Sequence, residues 1–138
     1  MEKRIGYLLK RVQLAFRAAM DRALSEKELT APQYAVLSAL ERAPGISNAE
    51  LARRSFVTPQ TMIRIVDHLE ELQLIERKPL ATHRKVLSAE LTPAGARLVA
   101  SCHQAVDAVE AHMLRNLDAR EQATLQALLE RCADASNT

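Results

Sequence analysis

The sequence predicts a mostly α-helical chain with one small β-hairpin, in the order ααααββαα. Three observations carry that prediction. Apolar residues recur at three- and four-residue spacing along most of the chain, the period of one helical face. Helix-start signatures stand at Thr30, Ser47, Thr58, Thr92 and Asp118, each a side chain able to accept from the free amides of a first turn. Only 3 of 138 residues are Gly and 3% are aromatic, a composition poor in the residues that turn and face β-sheets.

The elements follow in order. Ile5, Leu8, Leu9, Val12, Phe16, Ala19, Met20 and Ala23 form the apolar face of a first helix running to about Leu24. Thr30 then caps a second helix, with Gln33 as its capping-box partner and Leu29 placed to staple against Tyr34; it ends near Arg42, before Pro44-Gly45. Ser47 with Glu50 repeats the device for a short third helix ending near Ser55. Thr58 caps a fourth helix with Pro59 at its first position, where the missing N–H costs nothing, and Met62, Ile63, Val66, Leu69 and Leu72 are expected inward. Two strands, 74–77 and 86–91, flank a basic turn from Lys78 to Lys85 that Pro79 interrupts. Thr92-Pro93 opens a long fifth helix with Leu98, Cys102, Ala105, Val109 and Met113 on one face. Asp118 and Glu121 start a sixth, striped by Leu125, Leu128, Leu129 and Cys132.

This length suits one domain, and no run approaches the roughly 18 apolar residues of a membrane span. The opening MEKRIGYLLKR is too short and too charged for a signal peptide, so the cytoplasm is the expected compartment. Cys102 and Cys132 are expected to be packed thiols rather than reactive ones. Net charge is +2, but residues 1–30 carry seven Lys or Arg against four Asp or Glu, and residues 93–138 carry four against six. No Gly-rich phosphate loop, nucleophile elbow or metal-ligand spacing is present, so neither an enzyme, a cofactor nor a metal is expected.

The informative segment is 47–92. A short helix bracing a second one presents the second helix's first turn outward, and such a helix fits the major groove of duplex DNA. There Gln60 suits adenine, Arg64 guanine and the Thr61 methyl a thymine methyl, while amides at the Thr58 end suit a phosphate. The candidate DNA contacts are Ser47, Arg53, Thr58, Pro59, Gln60, Thr61, Arg64 and His68 on the two helices, and Lys78, His83, Arg84 and Lys85 on the hairpin. A projecting basic turn suits the narrow minor groove. Arg53 and Arg54 could equally be surface ion-pair partners, and His68 an idle surface residue.

The stretch Ser47–Gly95, SNAELARRSFVTPQTMIRIVDHLEELQLIERKPLATHRKVLSAELTPAG, resembles the MarR family of winged helix-turn-helix regulators. The resemblance lies in the helix-turn-helix, the VD-x-LE aspartate, the LIER strand, the basic wing and the LT-x-x-G helix start. It implies a homodimer on double-stranded operator DNA, with the fourth helix in the major groove and the wing in the minor groove. It divides the chain into dimerisation helices, 1–29 and 93–138, and a winged-helix DNA-binding lobe, 30–92. It also gives Asp67 the task of holding the wing's basic residue. Two departures stand out. The family's wing Asp-x-Arg aligns here either with His83-x-Lys85 or, shifted by one, with Thr82-x-Arg84. Gln73 occupies a position that often holds Gly, where a left-handed backbone costs about 1 kcal/mol.

Relatives often hold a small aromatic effector where the dimerisation helices meet the DNA-binding lobe, which here would draw on Phe16, Met20, Tyr34 and Phe56. The alternative is that all four are core. The expected activity is a repressor released by such an effector. A rival is a winged helix that docks on protein, which would need apolar residues in place of Gln60, Thr61 and Arg64.

Overall fold

The computed structural model describes residues 3–79 and 87–136. Among them are six helices, α1 (Ile5–Ser25), α2 (Ala31–Arg42), α3 (Asn48–Arg54), α4 (Pro59–Glu71), α5 (Pro93–Met113) and α6 (Ala119–Ser136), and two strands, β1 (Ile75–Pro79) and β2 (Leu87–Leu91). The strands pair antiparallel, from Ile75 opposite Leu91 to Pro79 opposite Leu87. The first strand thus runs through Lys78 to Pro79, further than its sequence pattern suggested. A proline that cannot donate to the ladder is tolerated at such a strand end.

The caps form largely as their residues dictate. Gln33 N–H donates to Thr30 Oγ1 at 3.3 Å and Thr30 N–H donates to Gln33 Oε1 at 3.0 Å; Asp118 and Glu121 make the same reciprocal pair. At α3 only half the device forms. Glu50 N–H donates to Ser47 Oγ, but the Glu50 carboxylate is taken by Arg53 and Arg54 and does not reach back.

Three helices or their terminal turns end on a left-handed residue that is not glycine: Glu28, Phe56 and Gln73, with φ of 60°, 56° and 60°. In each case the next residue, Leu29, Val57 or Leu74, donates its amide to the carbonyl five residues back. That bond satisfies an orphan helix-end carbonyl, and the apolar side chain that follows turns inward. Leu29 is buried, and Val57 and Leu74 pack against the core.

Fully buried side chains include Leu24, Leu37, Leu40, Leu51, Met62 and Leu69, so α1, α2, α3 and α4 share one core with β1 and α5. Two inward expectations on α4 do not hold: Ile63 is 50% and Leu72 47% exposed. Successive residues turn by about 100°, which sets Ile63 well away from the buried arc of Met62, Val66 and Leu69, and Leu72 is already the C-cap. Ile65 takes the inward place.

No residue of α6 is buried, and Ile5, Leu8, Leu9 and Val12 of α1 are exposed. The apolar stripes of both helices thus lie open in the single chain. No helix is long and apolar enough to cross a membrane, and no group of three His, Cys, Asp or Glu could hold a metal, among the described residues. Cys102 is buried, and burial pushes its thiol up, away from the reactive thiolate.

Candidate nucleic-acid interface

The site is assembled from the first turns of α3 and α4 and from the root of the hairpin. Asn48 Nδ2 donates to the Pro59 carbonyl at 3.4 Å, which brings the start of α3, with Ser47, against the start of α4. Thr58 Oγ1 accepts from Thr61 N–H at 3.1 Å and donates to Thr61 Oγ1 at 3.0 Å. The Thr58 hydroxyl is thus fully used within the cap, while the Thr61 hydroxyl accepts there and keeps its own proton to donate. Thr58, Pro59, Gln60, Thr61 and Arg64 are all exposed. Arg64 has no ion-pair partner among the described residues, leaving its five-donor fork free for an external acceptor.

Other expected contacts are partly engaged. Arg53 and Arg54 both bond Glu50, holding its carboxyl below the usual range, Arg54 contributing most. His68 lies one turn beyond Arg64 and 3.9 Å from Glu71. Lys78 sits between Glu76 at 3.3 Å and Glu90 at 3.4 Å, whose carboxylates raise its pKa above the ordinary lysine value. Its charge is largely offset locally. His83, Arg84 and Lys85 lie outside the described residues.

Asp67 bonds Arg77, whose Nε is also 3.7 Å from Glu70. Its basic partner therefore lies on β1, at the root of the hairpin. Arg77 carried a signal that sequence reasoning passed over: it shares strand parity with buried Ile75 and so faces α4. Asn48 was missed as well, since an Asn beside a cap looks like an ordinary turn residue.

The LT-x-x-G start has a steric reason. Thr92 N–H donates to the Leu74 carbonyl at 3.0 Å and Thr92 Oγ1 to the Gln73 carbonyl at 2.7 Å. A Cβ on Gly95 would stand 2.0 Å from Leu74 O, so only glycine permits this approach. Left-handed Gln73 thus joins α4, the hairpin and α5 at one point.

A model of the MarR family matches residues 27–85. The HTH-type transcriptional repressor Rv2887 of Mycobacterium tuberculosis is 36% identical over 127 residues, covering 92% of this chain and 91% of the repressor. The chain belongs to the MarR family. The crystal structure of the same MarR family protein complexed with DNA has a TM-score of 0.82 at 35% identity, covering 95% of this chain and 98% of that one. Its complex with salicylic acid has a TM-score of 0.80 at 35% identity, covering 95% and 97%. The MarR fold accounts for all the described elements, including α1, α5 and α6 beyond the family model's span.

The four effector-site candidates do not converge in this MarR chain. Met20 and Tyr34 pack against the core and Phe16 is half-buried on α1. Phe56 is 95% exposed in the turn between α3 and α4, so it cannot be packed against the other three. A groove of about 630 Å³ between α5 and α6 is lined by Met113, Leu114, Leu125 and Leu129 among others, and by none of the four. Tyr34 has a different partner. Its hydroxyl lies 2.5 Å from His103 Nδ1, and His103 Nε2 lies 2.8 Å from Glu41 Oε1. With the ring proton on Nε2 donated to Glu41, Nδ1 accepts from the phenol. This relay ties α2 to α5. Burial, then Cys102 and Asp107, push the Tyr34 phenol up and keep it a donor.

Proposed function

We propose that this MarR-family chain is a homodimeric repressor that reads a pseudo-palindromic operator and releases it on binding a small aromatic effector. The observation that carries the reading is the outward first turn of α4, where exposed Gln60 and Arg64 stand beside the hydrogen-bonded Thr58–Thr61 cap. Those side chains are polar, directional and exposed, the properties that read base edges, whereas a helix docking in a protein groove presents apolar anchors. In this reading Arg64 pairs with a guanine, Gln60 with an adenine and Thr61, through its methyl, touches a thymine. Ser47, Thr58 and Pro59 lie at the backbone-facing helix starts, and Arg53 and His68 flank them toward phosphates.

We assign Lys78, His83, Arg84 and Lys85 to the wing, whose first strand, β1, is tied to α4 by the Asp67–Arg77 pair. Residues 30–92 form the DNA-binding lobe. Residues 1–29 and 93–138 form the dimerisation helices, whose open stripes on α1 and α6 supply apolar surface for a second copy. A two-fold axis would set two α4 copies about 34 Å apart, one turn of duplex. The protein acts in the cytoplasm.

The mycobacterial relative's complex with salicylic acid makes an aromatic carboxylate the effector class to test. Among the candidates we keep Met20 of α1 and Tyr34 of α2, which pack against the shared core, and half-buried Phe16 of α1 as the residues it would meet. It can release DNA only by binding a non-competent geometry more tightly than the competent one.

The test is Arg64→Ala on a panel of operator duplexes. Relaxed preference at one base pair supports base reading, and an equal loss on all duplexes reassigns Arg64 to phosphate. Binding by wild-type protein to no duplex, even at low salt, contradicts the proposal.

A further inference from the structure

Two adjacent residues in the turn between α3 and α4 are arranged against their own chemistry. Ser55 is buried, and its Oγ has no hydrogen-bond partner among the described residues. Phe56 is 95% exposed at φ 56°, a left-handed conformation that disfavours any side chain and most often holds glycine. The backbone explains how this arises. Phe56 N–H donates to the Arg53 carbonyl and Val57 N–H to the Ala52 carbonyl, so Val57 closes the helix end inward and Phe56 is turned out. The backbone does not explain why the outward residue is aromatic. At the other two left-handed positions the side chain is the polar Glu28 or Gln73.

The helix-end bonds compensate the backbone of this turn but leave the ring in water and the Ser55 hydroxyl without a partner among the described residues, and local rules broken in this way cluster at functional sites. Phe56 follows Arg53 and Arg54, both paired with Glu50, and comes two residues before the Thr58 cap, so its turn joins the end of α3 to the start of the recognition helix. An exposed ring in the turn that leads into α4 lies on the path of any duplex that α4 reads. We infer that Phe56 is an apolar DNA contact, packing its ring on the deoxyribose wall of the groove that α4 enters and so fixing the helix's depth. This rests on the DNA-binding reading above. In that complex the exposed ring loses its water.

The experiment compares wild type with Phe56→Gly and Phe56→Tyr, measuring thermal stability and operator affinity across a salt series. Phe56→Gly relieves the left-handed strain, so its Tm should rise by about 3–5 °C, while operator affinity falls about tenfold with loss of the ring's buried area. The slope of log affinity against log salt should not change, because the ring neutralises no phosphate. Phe56→Tyr keeps the ring and should bind within about twofold of wild type. Unchanged operator affinity in Phe56→Gly would overturn the inference while leaving the DNA-binding reading intact. A lowered Tm in Phe56→Gly would also overturn it, by assigning the ring to the protein's own packing. Failure of wild type to bind any duplex would remove the reading on which it rests.

Discussion

Replacing Gly95 by alanine tests whether the joint between the wing and α5 is as tight as its geometry says. In most helices this change is favourable, since alanine is the better helix former by about 1 kcal/mol. Here the added methyl would stand 2.0 Å from Leu74 O and 3.0 Å from Leu74 C. Ordinary carbon–oxygen contact is about 3.3 Å or more, so α5 must retreat by over about 1 Å. That movement stretches the Thr92 N–H to Leu74 O bond and pulls Thr92 Oγ1 from the Gln73 carbonyl. Overpacking of this kind costs about 1–3 kcal/mol, and losing one backbone hydrogen bond about 1 kcal/mol more. Against the propensity gain, a net loss of about 2 kcal/mol is expected, roughly 8 °C in Tm for a chain of this size. Urea and thermal unfolding at one fixed protein concentration read it, since an associating chain's stability depends on concentration. A Tm equal to or above wild type would show that helix propensity governs this position and that the close approach is not a constraint.

Three further outcomes follow from the site. Asp67→Asn removes the carboxylate bonded to Arg77; because both groups are partly exposed, stability should fall by less than about 1 kcal/mol. Operator affinity should nevertheless drop several-fold as the wing loses its register on α4, and titration with a labelled duplex would expose an unchanged affinity as a contradiction. Glu50 is held below its ordinary value of 4.5, first by Arg54 and then by Arg53, so as pH falls the unfolded chain takes up this proton before the folded one. Its contribution is present above the ordinary glutamate value and lost as pH falls through the depressed folded value. Glu50→Gln should therefore flatten the acid limb of stability against pH below about 4.5, and an unaltered limb would argue against the Arg pairing. Tyr34→Phe removes the phenol from His103 and should lower stability by about 1 kcal/mol, measured by urea midpoint; no loss would mean that the α2–α5 relay does not hold the lobe in place.

Much of this architecture is legible in the residues because its helix ends are written locally. Thr30 with Gln33, Thr58 with Pro59, and Asp118 with Glu121 each need only a few consecutive residues to satisfy orphan amides. Gln73 was readable as a left-handed position only through the family resemblance, since a glutamine carries no turn signal of its own. What escaped depends on partners distant in sequence. Glu50 could have closed a capping box but faces two guanidiniums on its own helix, and charge outcompetes one amide. Ile63 and Ile65 are equally apolar, and only the position of the packed neighbours decides which turns inward. Arg77 and His103 were not among the candidates, because only strand parity and the α2–α5 packing bring Asp67 and Tyr34 to them. The stripes on α1 and α6 were read as surfaces for a partner, and the single chain leaves them uncovered.

The most direct test of the central claim is selection of bound duplexes from a random DNA pool at near-physiological salt, with the protein's mass measured in the same solution. A two-fold symmetric motif recovered by a species of dimeric mass is the predicted result. No enrichment of any sequence, with binding still absent at low salt, would contradict the account.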